Sequence, residues 1–480
     1  MICAQTSLLS TRTNRMHTVV ASEITGLKRG AARASVAAIS LLSLGLAACG
    51  GGSSSTPSTP ASSATYTIGG TISGLPTGAS MVVDDNGGDA LTLIANAPFT
   101  FATPLTSGSS YAVTQASINL PAGVKPLACT LANASGTVGS ASVTNVGIAC
   151  LNPQYAYAAN VDGTVSAYNV DANTGVLTLV AGAPFPAGTR PSAVAVDPVG
   201  AHAYVTNYGD NTVSTYSIDL NKGSLTQIGT PTATGSSPSA VTVSPNGLFA
   251  FVANWGGDSV SAYRINSTTG ALSLVGTVPA GAGTNAVVLT PSGTSAYAVN
   301  QDNGTVSSYS VNAATGTLTA TGTVATGSFP YAITVNASGT LAYVANSGSN
   351  TVSAYAISGS TGALRTIGTF ATGSAPLSIT LNPAGTVAYV ANSGDSTVTA
   401  YSIGSTAGQI GVLTQVGSPV ATGSTPYAVT LNPTGTLAYV ANHDSGNVSA
   451  YSVAASTGVL TPIGSYSAGT DPVSIVVAQP

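Results

Sequence analysis

Acid–base chemistry has few residues to draw on in this sequence. Beyond residue 48 there is no glutamate, and the only histidines are His202 and His443. General acid–base catalysis near neutral pH needs a group that titrates there, held beside a partner that orients it. His202 falls in a turn just ahead of a predicted strand, where a solvated role is expected. Asp162, Asp210, Asp258, Asp302, Asp395 and Asp444 recur in the turns that follow the repeated strand. Aspartate in such a place ordinarily bonds turn backbone. No His/Cys cluster has the spacing of a metal site, and no set of oxygen ligands is gathered for calcium. Neither a metal nor a cofactor is expected.

Better candidates stand at positions that vary within an otherwise constant repeat. Arg190, Phe329 and Asp471 occupy one such register, just before a strand; Asn285, Tyr331 and Tyr427 occupy another, two residues later. Tyr208, Trp255, Gln301 and His443 occupy a third, just after a strand that reads YVAN or a close variant. Aromatic faces can stack on a sugar-like ring, while amides and charges fix its hydroxyls. If all three registers open on one face, these ten residues share one mouth. Arg190 and Asp471 are expected to face each other there as a charged pair, with Phe329 and Tyr331 on the opposite side.

What must position them is a repeated hairpin. Residues 341–357, LAYVANSGSNTVSAYAI, read as strand, tight turn, strand, with alternating side chains on either side of a Gly/Ser/Asn turn. The asparagine ending the first strand recurs at Asn160, Asn207, Asn254, Asn300, Asn346, Asn392 and Asn442, at spacings of 47, 47, 46, 46, 46 and 50 residues. A period of that length with four strands per repeat predicts propeller blades. We label the strands of each blade a to d from the centre outward. The first copy begins at strand b, while the chain ends in an extra a-strand, Pro472 to Val477. Seven blades therefore close only if the C-terminal strand completes the first. Such closure removes open sheet edges.

The YVAN…NTVSAY pattern resembles the YVTN-type, lactonase-like seven-bladed propellers, a family with 6-phosphogluconolactonases and muconate-cyclising enzymes among its members. The resemblance covers residues 155–480. It implies the fold, and it implies channel-facing acidic, basic and histidine side chains in the lactonase members. The sequence departs from that last pattern. Strand-c tyrosines Tyr168, Tyr216, Tyr263, Tyr309, Tyr355, Tyr401 and Tyr451 share one register, as packing between neighbouring blades requires.

Upstream, Lys28, Arg29 and Arg33 precede an apolar run too short to span a bilayer, ending Leu46-Ala47-Ala48-Cys49. That run resembles a bacterial lipobox, which implies a signal peptide over 1–48 and lipidation of Cys49. Membrane attachment through that lipid follows, in the cell envelope and by analogy at the outer membrane. Residues 49–65 form a Gly/Ser/Pro tether. Residues 66–150 carry short alternating strands resembling an Ig-like β-sandwich. With the leader removed and Cys49 lipidated, Cys129 and Cys150 are the remaining thiols and are expected to pair in an oxidising compartment. The mature chain then has thirteen aspartates against five cations. It lacks the basic stripe that nucleic acid requires. The expected architecture is thus all-β, a seven-bladed β-propeller over 155–480 preceded by the sandwich. The favoured function is a non-enzymatic envelope module binding a small polar or glycan-like ligand or a protein. The alternative is a lactonase-like hydrolase or isomerase acting on a sugar lactone.

Overall fold

The computed structural model describes residues 63–121, 127–151 and 153–479. The expected signal peptide, Cys49 and most of the tether lie outside the described residues. No helix occurs among those described.

The strands before Gln154 form a two-stranded pair, Thr65–Tyr66 with Leu105–Thr106, and two four-stranded sheets. One contains Ile68–Ser73, Pro98–Thr100, Ala128–Ala132 and Val143–Leu151; the other contains Ser80–Asp85, Asp89–Leu93, Ser110–Asn119 and Ser135–Thr137. Ile72, Met81, Val83, Phe99, Phe101, Val146 and Ile148 from both sheets share one core. Cys129 and Cys150 stand opposite each other on adjacent antiparallel strands and are disulfide-bonded.

From Gln154 onward there are seven sheets, each with the order a-b-c-d. Strand b is buried along its whole length in every blade, because a neighbouring blade covers each face. Its alternation is therefore large against small rather than apolar against polar. Leu341, Tyr343 and Ala345 pack towards the next blade with Ile379, Ala388 and Tyr401, whereas Ala342 and Val344 pack towards the preceding one with Tyr297 and Val299.

Two sets of tyrosines join blade to blade. On strand b, Tyr157, Tyr204, Tyr297, Tyr343, Tyr389 and Tyr439 donate their hydroxyls to a glycine carbonyl in the c-to-d turn of the following blade. On strand c, the seven tyrosines donate to outer-strand carbonyls of the preceding blade, as Tyr216 does to Pro186 at 2.7 Å. Tyr168 of blade one reaches Ser467 of blade seven at 2.7 Å, and Tyr439 of blade seven reaches Gly175 of blade one at 3.2 Å, so both sets cross the closing seam. The seam itself is made by Pro472–Ala478, which pairs antiparallel with Gln154–Asn160 from Tyr155↔Ala478 to Asn160↔Pro472. The C-terminal strand completes blade one.

Candidate functional site at the mouth of the propeller

The b-to-c turns and d-to-a turns open on one face, and seven equivalent hydrogen bonds lock them together. The residue after each strand-b asparagine donates its N–H to the carbonyl of the residue before strand a. Tyr208 donates to Arg190 at 2.9 Å, His443 to Thr425 at 3.0 Å and Val161 to Asp471 at 3.2 Å. Residues at the carbonyl position are left-handed in every blade, with φ of 52° at Arg190, 48° at Phe329 and 52° at Asp471. Only blade four has glycine there, Gly283 with φ 67°. A non-glycine residue in that region, followed in most blades by proline, bears a conformational cost that the facing loop must offset.

The strand-b asparagines are fully buried and serve this scaffold. Asn207 donates to Thr212 and Ser214 at 2.9 Å, and its oxygen accepts from the Gly188 N–H at 3.0 Å. The turn aspartates act differently from the sequence expectation. Instead of bonding their own turn backbone, four of the six reach across to an N–H of the d-to-a loop, as Asp162 does to the Thr470 N–H at 2.7 Å and Asp395 to the Ser374 N–H at 2.6 Å. The same bond from Thr189 holds the Asp210 carboxyl below its ordinary range.

Within this frame the face sinks into a cavity of about 430 Å³. Eight of the ten candidate residues line it: Arg190, Tyr208, Trp255, Asn285, Gln301, Tyr331, Tyr427 and His443. Tyr331 of blade five meets Tyr427 of blade seven edge-on, with ring centres 6.1 Å apart, bypassing the blade between them. The two rings meet over the inner end of blade six, where Leu377 lines the same cavity. Burial pushes the Tyr331 phenol well above its ordinary pKa, and Tyr427 beside it adds to the shift. His443 stacks on Tyr427 at 4.9 Å. On the other side, Tyr208 and Trp255 lie with centres 6.4 Å apart, and the Arg190 guanidinium sits over Tyr208 at 5.0 Å.

Two expectations fail at the rim. Arg190 and Asp471 do share one face and equivalent backbone positions, but they do not pair. Each is captured by a b-to-c loop instead: Arg190 by Tyr208 of its own blade, Asp471 by His443 of blade seven, with 4.0 Å from its Oδ1 to Nδ1. Phe329 holds the same backbone position, yet its ring lies over Gly348 and is 53% exposed, outside the cavity lining.

Sequence reasoning also undervalued the polar groups of strand a and misread His202. Ser192 and Ser239 donate to the Pro238 and Thr284 carbonyls of the next blade at 2.7 and 3.1 Å, and Asn285 donates to Tyr331 O at 2.8 Å. These side chains bridge inner strands that share no backbone ladder. His202 is buried rather than solvated, with Nδ1 2.8 Å from Asp197 Oδ2 and the c-to-d turn of blade three against its ring. His443 is not a lone group: Asp444 Oδ1 lies 2.6 Å from its Nδ1. A hydrogen bond from the Thr425 hydroxyl, with a further contribution from His443, holds the Asp444 carboxyl below its ordinary range. Adjacent letters in the sequence, His-Asp, carried that signal.

A ring of seven four-stranded blades around a polar and aromatic mouth defines a seven-bladed β-propeller. The sequence profile of the family described as "Lactonase, 7-bladed beta-propeller" matches residues 150–422 and 378–477, and the chain belongs to that family. Among solved structures, a putative 6-phosphogluconolactonase from Bacteroides fragilis is 23% identical, with a TM-score of 0.60 over 68% of this chain and 98% of its own. A periplasmic gluconolactonase from Pseudomonas aeruginosa is 21% identical, with a TM-score of 0.60 over 69% of this chain and all (100%) of its own. These likenesses establish the fold. No curated protein matches the sequence.

Proposed function

We propose that the mouth binds a sugar-acid lactone and opens it by adding water, with His443 as the general base. The observation that carries this reading is the contact at the cavity rim between Asp444 and His443, of which His443 lines the cavity. A carboxylate 2.6 Å from Nδ1 fixes the imidazole with the proton on Nδ1 and leaves Nε2 as its acceptor nitrogen. An imidazole so oriented can take a proton from water attacking a carbonyl. Tyr427 holds the ring in place by stacking, and Trp255 and Tyr208 offer flat faces to a ring substrate. Arg190 and the amide of Gln301 are donors suited to the carbonyl and hydroxyl oxygens. Family membership and the gluconolactonase-type neighbours support the same substrate class.

The test is proton release from D-glucono-δ-lactone, compared with the uncatalysed rate. The wild-type chain accelerates it, and His443→Gln lowers kcat by about 100-fold or more with little change in melting temperature. Equal rates in both proteins remove His443 from the reaction.

A second reading, the non-enzymatic binding module, has its own support. Ser192, Ser239 and Asn285 are committed to bonds between blades, and His443 is the only histidine among the lining residues. Ligand binding without turnover selects it. In either case we place the protein in the cell envelope, attached through a lipid on Cys49 with the 49–65 tether as spacer. Mass spectrometry of the mature N-terminus tests that placement, and an unmodified Cys49 refutes it.

A further inference from the structure

The two faces of the propeller carry charge very differently. Around the mouth stand Asp162, Asp210, Asp258, Asp302, Asp395 and Asp444 in the b-to-c turns and Asp471 before the closing strand. Among the described residues of that face, one cation answers them, Arg190. Seven carboxylates against one guanidinium give the rim a formal charge of −6 with His443 neutral. On the opposite face, Asp171, Asp197 and Asp219 are matched in number by Lys222, Arg264 and Arg365. The acidity therefore belongs to the mouth and is not a property of the whole propeller.

Six of the seven rim aspartates are exposed, so no shell of protein hides their charge from an arriving ligand. Backbone N–H groups bond the carboxylates of Asp162, Asp258 and Asp395 at 2.6–2.8 Å, which fixes their positions at the rim. Arg190, the one compensating charge, lies over the Tyr208 ring at one side of the cavity, an arrangement that leaves no cluster of cations to hold a phosphate. Charges of one sign around a concave, low-dielectric site focus their field into it.

Resting on the lactone reading above, we infer that the mouth admits an uncharged polyhydroxylated lactone, rejects its phosphorylated counterpart, and expels the product once that product becomes an anion. Chemistry makes the second half follow from the first. Water adds to the ring carbonyl, the ester C–O bond breaks, and the ring oxygen leaves as a hydroxyl carrying a proton derived from the water. The carboxylic acid so formed releases its own proton at neutral pH. A neutral molecule enters and a carboxylate leaves, down the gradient that the acidic rim sets up. A phosphate ester brings about two negative charges at pH 7 and meets that gradient on entry.

Trp255 is the only tryptophan in the chain and lines the cavity, so its fluorescence reports occupancy directly. Three stable probes separate the outcomes: D-glucono-δ-lactam, which is neutral and resists hydrolysis, D-gluconate and 6-phosphogluconate. The lactam is expected to bind at least about tenfold tighter than either anion at low ionic strength, with the ratio shrinking as salt screens the rim. Asp258→Asn combined with Asp302→Asn, neither of which lines the cavity, is expected to tighten both anions about two- to fivefold and leave the lactam unchanged. Lactam binding with 6-phosphogluconate equally tight or tighter, or a ratio insensitive to salt, overturns the charge selection and leaves the lactone site standing. No lactam binding at all removes the lactone site, and the selection with it.

Discussion

Deleting Pro472–Pro480 strips strand a from blade one, and the structure allows the loss to be sized. Six register pairs join that strand to Tyr155–Asn160, and backbone hydrogen bonds contribute about 0.5–1.5 kcal/mol each in net terms. Ile475, only 6% exposed, packs with Ala156, Ala158 and Tyr439, and its burial contributes about 2–3 kcal/mol. Tyr155, Tyr157 and Ala159 share a cluster with Ala478 and partly buried Val476, so they lose cover as well. The combined loss exceeds about 5 kcal/mol, comparable with the whole stability of many domains. It also leaves strand b as an open edge able to pair with other chains. Thermal melts by circular dichroism with light scattering should show a much lowered transition and aggregation. In the full-length chain, Ile475→Ala isolates the packing part and should cost about 2–5 kcal/mol. A truncated protein that melts with the wild type would refute closure by this strand.

Three further outcomes follow from the contacts between blades. Tyr343→Phe leaves the Gly411 carbonyl without its hydroxyl partner and should cost about 1–3 kcal/mol in urea unfolding, whereas Phe251, the one strand-b position lacking a hydroxyl, should tolerate Tyr at little cost. Gly270→Ala combines φ of 71° with a Cβ that would collide with the His202 ring, so a loss of at least about 2 kcal/mol is expected; a neutral result would mean the blade two to three contact is loose. Burial raises the Tyr168 and Tyr389 phenols to about 12, although both are free to ionise near 10 once unfolded. The unfolded chain therefore binds fewer protons above pH 10, so stability is intact below that and falls as pH rises towards 12. The slope is about 1.4 kcal/mol per pH unit for each such phenol. Denaturant melts between pH 9 and 12, ranges set by the ordinary and raised phenol values, should show that steep loss, and a flat profile would contradict it.

The seven-fold count, the four-strand period and closure by the C-terminal strand were all legible in the sequence, because each follows from repetition and from the need to pair every sheet edge. Cys129 and Cys150 were legible for a similar reason, as the two thiols left on neighbouring strands. Much of the mouth was legible too: Tyr208, Trp255, Asn285, Gln301, Tyr331, Tyr427 and His443 stand where the repeat varies, and a repeat fixes which face a given register serves. Tertiary structure alone decided how those side chains use the space. Arg190 and Asp471 have equivalent backbone positions on adjacent blades, yet each finds a nearer partner in a loop that no register predicts. Tyr331 lines the cavity while Phe329, two residues earlier, turns out over Gly348. His202 sits in a turn by sequence but is buried by the blade beside it. Local pattern determines strands and faces, whereas the choice among partners depends on which neighbouring blade's atoms arrive within reach, and that is set only when the ring closes.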